Sequence, residues 1–300
     1  MKKLLLFSAV CLSSLAAVQG QQASTIRITG TRLAYPLFQK WADEYTKLHP
    51  GVKFIISKSP ADSADLLIVS HKLGPNDIKN GQTALVVTRY VQLPVVSARR
   101  GDVAALQSKG FDDSAFHQVY FSDKDGKGHS IYQFTVYKRQ QPACASIAFA
   151  NHFDNEQKDI KGIGVAGDDK DLLAAVKRDP NGISYNNLGF LYDLRSRKLI
   201  DSIAIIPIDL NGNGKIDPDE NIYGTLDDVI GFVEQTHHPR IPLENVNVLY
   251  RKDGAGKDVV PFLQWVLTKG QQYNHDFGFI NPDAVVVQTE EQSLAALNHN

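Results

Sequence analysis

Six oxygen-bearing positions within twelve residues carry the sharpest chemistry of this 300-residue chain. Asp209, Asn211, Asn213, Lys215, Asp217 and Glu220 fall at positions 1, 3, 5, 7, 9 and 12 of the run 209–220. Together they offer carboxylate and amide oxygens and, at Lys215, a backbone carbonyl. That is the hard donor set Ca2+ takes. Gly214 stands at position 6, where the loop turns sharply and a residue without Cβ is needed. Ile216 lies between ligand positions and can point into the protein. The expected cofactor is Ca2+, and the two neutral Asn ligands point to a modest affinity.

The loop matches the EF-hand pattern, but its flanks do not form a helix pair. Residues 203–208 read Ile-Ala-Ile-Ile-Pro-Ile, β-branched and broken by Pro207, and so predict an extended segment. Residues 225–235 place Leu226, Val229, Ile230 and Val233 on a helical stripe behind Thr225, an N-cap with Asp228 three residues on. One loop with one helix reads as a structural clip, not a switch.

Lys2 and Lys3 precede an apolar stretch, 4–18, too short for a comfortable membrane span, with small residues toward Gly20. This reads as a secretory signal peptide, 1–20, and places the mature chain in the periplasm or outside the cell. Cys11 lies in mid-stretch after Val10, which speaks against a lipid anchor. Loss of the two lysines would take the formal charge from −1 to −3. No basic patch interleaved with aromatics offers a nucleic-acid surface. Cys144 would then be the remaining cysteine, so no internal disulfide is expected. Its small-residue surroundings favour a buried inert thiol over a nucleophile.

Strand and helix signals alternate along the chain, which predicts α/β architecture. Residues 25–29 alternate, 36–48 are amphipathic through Leu37, Trp41, Tyr45 and Leu48, and 52–57 and 64–70 are apolar strand runs. Strands are expected again at 84–91, 93–97, 131–137, 182–192 and 246–251. Helices are expected from Val103 to a stop at Gly110, and at 146–153, 169–177 and 258–270. The polar run 123–128 reads as a turn.

In order and spacing these segments resemble the phosphate-type substrate-binding proteins of ABC transporters. The likeness rests on Ile28-Thr29-Gly30 with Tyr35-Pro36, Trp41 and Tyr45, and on Ala64-Asp65 with Val69-Ser70-His71. It continues in Phe149–Phe153, Gly162–Val165, Gly182–Asn187, Phe262–Gln271 and Gly278–Ile280. It implies a two-lobe periplasmic-binding-protein fold, type II-like, with two hinge strands. The lobes would be 21–95 with 249–300, and 96–248 carrying the calcium loop.

The resemblance also implies an anion site built from Thr29, Gly30, Thr31, Arg32, Tyr35, Ser70, His71, Arg139 and Ser146. Several positions depart from the family's donors. Ala34 replaces a hydroxyl, Ala143-Cys144-Ala145 replaces a Ser-Gly-Thr loop, and Ser70-His71 stands where an acceptor Asp is expected. On their own, Ser70 and His71 read as a strand-end turn before they read as ligands. The leading expectation is a monomeric solute-binding protein for phosphate or a related small anion, serving an ABC permease. The alternative is a transport-inactive sensor or scaffold with structural calcium. Asp168-Asp169 and His237-His238 are accounted for as helix-end residues, and Tyr185-Asn186-Asn187 either bridges the lobes or faces the cleft. With neither a Gly-x-Ser-x-Gly elbow nor a His-Glu-x-x-His helix, no enzyme is expected.

Overall fold

The computed structural model describes residues 24–121, 133–251 and 258–297. The leader at 1–20, the turn at 123–128 and the start of the strand at 131–137 lie outside them. Strand β1 (Ser24–Gly30) leads into helix α1 (Tyr35–Leu48), which has Pro36 in its first turn and buries Leu37, Phe38, Trp41 and Tyr45. Strands β2 (Val52–Ile56) and β3 (Leu66–Val69) flank β1 in parallel. Then follow β4 (Gln82–Ser97), α2 (Val103–Lys109), α3 (Asp113–Tyr120), β5 (Thr135–Arg139), α4 (Cys144–His152), β6 (Ile163–Val165), α5 (Asp169–Arg178) and β7 (Gly182–Asn187). The chain continues with α6 (Leu188–Leu191), β8 (Ile203–Ile205), α7 (Leu226–Thr236), β9 (Leu243–Arg251), α8 (Val259–Thr268) and α9 (Ala284–Leu297).

The strands run in the order β2-β1-β3-β9-β4-β7-β5-β6, with β8 also on β4. Strand β4 is 16 residues long and serves both halves. Gln82 to Val91 pairs with β9, Gln92 to Val96 with β7, and Val95 to Ser97 with β8. The sequence suggested two strands, 84–91 and 93–97, parted at Gln92. Instead one strand runs through Gln92, which pairs with Asn187, and Pro94 sits just before pairing with β8 begins, its carbonyl accepting the Ile206 N–H at 3.1 Å.

Two hydrophobic clusters divide the molecule. One gathers residues from Ile26 to Tyr90 and from Val246 to Leu294 around α1 and α8, and Ala145 and Ala148 of α4 also pack there. The other runs from Val91 to Ile241 and also takes in Ile280. The chain therefore passes between cores twice, along β4 and along β9, the two hinge strands of a two-lobe binding-protein fold. The second passage comes at Leu243, since Val246, Val248 and Tyr250 already belong to the first core.

Other elements differ from expectation for local reasons. The strand expected at 182–192 ends at Asn187, where the chain turns into the short α6. Helix α4 starts at Cys144, two residues early, because Ala143 supplies the extended N-cap. Helices α3 and α9 were not foreseen: α3 is eight residues long, and α9 shows little amphipathic contrast.

Candidate functional site

A cavity of about 310 Å3 lies between the two lobes. Its first wall is the turn from β1 into α1. Gly30 has φ 122°, and a Cβ there would stand 2.1 Å from the Ile68 carbonyl oxygen, so glycine alone lets the turn approach β3 this closely. Thr31 donates its N–H to that carbonyl at 3.0 Å and accepts from the Ser70 hydroxyl at 3.2 Å. The opposite wall comes from the end of β5, which carries Arg139, from Pro142 to Ala145 at the start of α4, and from Asp168 and Asp169 at the start of α5. Phe190 adds an aromatic face.

Charge in the cleft is arranged in pairs. Arg139, 10% exposed, donates to the Asp169 carboxylate at 3.0 Å and to the Gly167 carbonyl. Its Nε is buried with no partner. Arg32 reaches over from the other lobe to the Gly167 carbonyl at 3.1 Å and lies 3.6 Å from the Asp168 carboxylate. Burial pushes the Asp169 carboxyl above its usual value, outweighing the pull of Arg139. Asp168 also caps α5, accepting from the Lys170 N–H at 3.2 Å.

Of the residues expected to hold an anion, Gly30, Thr31, Arg32 and Arg139 line this cavity. The others build its walls. Thr29 exchanges hydrogen bonds with the Ser59 backbone at 3.0 and 3.1 Å. The Tyr35 hydroxyl donates to the Ser57 carbonyl at 3.1 Å and also approaches the Gly30 carbonyl. Ser70 is fully buried, and its carbonyl accepts from Tyr90 at 2.7 Å. Ser146, also fully buried, accepts from the Tyr185 hydroxyl at 2.7 Å. His71 has its Nε2 3.6 Å from the Asp77 carboxylate, and its Nδ1 is buried without a hydrogen-bond partner. Asn186 donates to the Asp169 carbonyl at 2.8 Å, within its own lobe.

Sequence reasoning missed Asp169 and Phe190 as cleft residues, whereas Ala143-Cys144-Ala145, expected where the family's donor loop stands, does line the cavity. Nothing local marks Asp169, because its partner Arg139 is 30 residues away.

Loop 209–220 has the backbone its sequence predicts. Gly212 and Gly214 take φ of 77° and 84°. Asp209, 1% exposed, accepts the N–H groups of Gly212, Asn213 and Gly214 at 2.7, 3.2 and 2.7 Å. Glu220, 3% exposed, accepts from Asn211 and Asp217 N–H, both at 2.9 Å. The Asn211 and Asn213 amides meet the Asp217 carboxylate at 3.0 and 2.7 Å, so positions 3, 5 and 9 converge. The Lys215 ammonium sits on Asp217 at 2.6 Å. Among the described residues no three His, Cys, Asp or Glu side chains gather as a metal site. In this loop the Asp209, Asp217 and Glu220 carboxylates engage loop amides, and the other donors are Asn side chains and a carbonyl. The donor types and the glycine turns suit Ca2+. Ile216 points inward as expected, its side chain meeting Gly110 at the end of α2 and its N–H donating to Ser108 at 2.8 Å.

No protein-family model matches the sequence, and no curated protein matches it. Solved structures do. A candidate phosphate ABC transporter substrate-binding protein from Clostridium perfringens, with bound phosphate, is 13% identical with TM-score 0.64, covering 87% of this chain and 100% of its own. An ABC-type phosphate transport receptor from Vibrio cholerae is 13% identical with TM-score 0.59, covering 86% and 100%. A candidate phosphate-binding protein from Planctomyces limnophilus is 13% identical with TM-score 0.56, covering 92% and 99%. At this identity the likeness establishes the fold, that of two-lobe substrate-binding proteins. No helix among the described residues is long and apolar enough to cross a membrane.

Proposed function

We propose that this chain is an extracytoplasmic solute-binding protein that closes two lobes over a small oxyanion. The observation that carries the reading is Arg139: a guanidinium 10% exposed, at the wall of an interlobe cavity, with Nε lacking any acceptor. A buried donor without an acceptor is costly, and an anion oxygen is a partner suited to the place. Helix α4 begins at the same wall, and the first amides of a helix have no partners inside it. Arg32 already spans the cleft, so closure would bring charge from both lobes onto the ligand.

The acceptor carboxylate that the sequence lacks at Ser70-His71 has a substitute in Asp169, and Asp168 lies nearby. A ligand carrying both oxyanion acceptors and a proton to donate fits this balance, as hydrogen phosphate or an organic phosphate ester would. A fully ionised anion would face the Asp169 carboxylate instead. The structural neighbours named for phosphate agree with that class of ligand. The leader read at 1–20 would export the chain, and a permease of the ABC type would be its partner.

Within the second lobe, Asp209, Asn211, Asn213, Lys215, Asp217 and Glu220 would hold Ca2+, a cross-link for a chain without an internal disulfide. A sensor or scaffold is the second reading. It is favoured by the pairing of Arg32 and Arg139 with Gly167, Asp168 and Asp169, which closes the cleft without a ligand.

Titration calorimetry with phosphate, sulfate and organic phosphates separates the readings. Heat from a phosphate species supports the first, and silence from all of them leaves the second. Arg139→Ala should weaken the bound anion by about 1.5 kcal/mol or more, the net worth of a hydrogen bond to a charged group. An unchanged affinity would move the site elsewhere.

A further inference from the structure

Few groups that line the interlobe cavity have a hydrogen to give an anion. Arg139 has its Nε, buried without a partner, and Thr31 has a hydroxyl that accepts from Ser70 and keeps its own hydrogen. Ala143, the N-cap of the nine-residue α4, offers no side-chain oxygen to the first N–H groups of that helix, which leaves them for a ligand. The nearby hydroxyls of Thr29, Tyr35 and Tyr185 are already spent on Ser59, Ser57 and Ser146. Outside the Arg32–Asp168 and Arg139–Asp169 pairs, much of the lining is apolar, with Leu33 and Val69 from the first lobe and Pro142 and Phe190 from the second.

The lobes already touch around this space. Arg32 reaches the Gly167 carbonyl across the cleft at 3.1 Å. Near the hinge, Gln92 donates to the Ala145 carbonyl at 2.8 Å, and Ala145 and Ala148 of α4 pack in the first core. The 310 Å3 between these contacts is therefore the room a ligand has, at the lower end of the roughly 300–1,000 Å3 of small-molecule sites. A bare tetrahedral oxyanion is only a few waters in size, at about 30 Å3 per water. It could take the donors of Arg139 and α4 and still leave much of the apolar wall uncovered. Phe190 is held in that wall by close packing. It follows Gly189 in the four-residue α6, where a Cβ on Gly189 would stand 2.8 Å from the Phe277 carbonyl oxygen. Its ring is half-buried against the second core.

We infer that the ligand of this cleft is a small phosphate monoester, its phosphoryl group on Arg139 and the start of α4 and its apolar or aromatic group against Phe190, Leu33 and Pro142. The ester oxygen carries the organic group and needs no donor, which suits a site with few of them. A singly ionised monoester keeps one P–OH, and Asp169 is the carboxylate that accepts it. The organic group removes from water the wall that inorganic phosphate leaves wet. This choice of ligand rests on the anion-binding reading of the same cleft.

Calorimetry on the full chain compares inorganic phosphate with phenyl phosphate. Phenyl phosphate should bind roughly tenfold more tightly, through the apolar surface its ring covers. Binding equal to or weaker than that of inorganic phosphate overturns the inference and leaves the anion reading standing. Silence from both overturns the two together. Phe190→Ala should lower the ratio of the two affinities by roughly tenfold, and an unchanged ratio overturns the inference. A second measurement needs no variant. In saturation-transfer NMR on the wild type, the phenyl protons should receive saturation from the protein, and excess inorganic phosphate should abolish the transfer. A phenyl ring that receives none, on a ligand that calorimetry shows to bind, overturns the inference.

Discussion

Loop 209–220 and the interlobe cleft both gather charged groups around a point, by opposite means. The loop draws its oxygens from twelve consecutive residues, and its two buried carboxylates, Asp209 and Glu220, are already held by loop N–H groups. The cleft draws on separate stretches between Gly30 and Phe190, and its charges are balanced by long-range pairs such as Arg32 with Asp168 and Arg139 with Asp169. A local cage can hold its shape in an otherwise perturbed chain. The cleft exists only when both cores and both hinge strands are in place. The two regions should therefore respond differently to the same kinds of change.

The largest expected effect is on the loop. A ligand that binds only the native state adds RT ln(1 + [L]/Kd), about 4 kcal/mol at a thousandfold excess over Kd. Calcium should therefore raise the melting temperature of the wild type above that in chelator. Asp209→Ala should remove that increment. Because Asp209 also accepts three loop N–H groups, the variant should melt lower than wild type even in chelator. Differential scanning calorimetry with and without calcium checks both. A calcium increment that survives Asp209→Ala would break the comparison, since the loop would not be the ion's site.

A smaller effect belongs to the cleft. Its Asp169 carboxyl is raised by burial, so a proton arrives there at a pH above the ordinary value of 3.8. As pH falls through that range, the repulsion of a fully ionised anion disappears and the pull of Asp169 on Arg139 relaxes. Sulfate binding by the wild type should therefore strengthen toward acid. Asp169→Asn should bind sulfate roughly tenfold more tightly at pH 7, about 1.4 kcal/mol, with little further gain at low pH. Calorimetry at two pH values reads this directly. Parallel pH profiles for variant and wild type would remove Asp169 from control of the ligand's charge.

The same contrast explains what could be read from the sequence. The spacing of the loop, the glycine at its sixth position and the Thr225 cap of α7 are local facts, and local facts survive translation into a string of letters. The stripe of α1 was legible for the same reason through Leu37, Trp41 and Tyr45, but Leu48, expected on it, lies at the helix end and is 65% exposed. Arg139 and Asp169 were legible singly, but their pairing depends on how β5 and α5 pack, and the Asp168-Asp169 dipeptide reads as a cap because its first member is one. Thr29, Tyr35 and Ser146 carry hydroxyls that could hold an anion, yet each is engaged by neighbouring backbone or by another hydroxyl. A hydroxyl does not announce which partner it will take.

The smallest expected effect tests whether the loop and the helix behind it act as one unit. The Thr225 hydroxyl accepts the Asp228 N–H at 3.2 Å, and the Asp228 carboxylate accepts the Thr225 N–H at 2.9 Å and its hydroxyl at 2.7 Å. Removing such a cap typically costs about 1 kcal/mol. At the far end of α7, Glu234 binds the Asn281 N–H and His275 Nε2, both at 2.8 Å, so the helix stays docked when its start frays. Thr225→Ala should therefore lower stability in urea by about 1 kcal/mol while leaving the affinities for calcium and for the anion unchanged. A matching loss of calcium affinity would mean that the loop leans on α7 as a calcium loop leans on its exiting helix, and the contrast between a self-contained cage and a fold-dependent cleft would narrow accordingly.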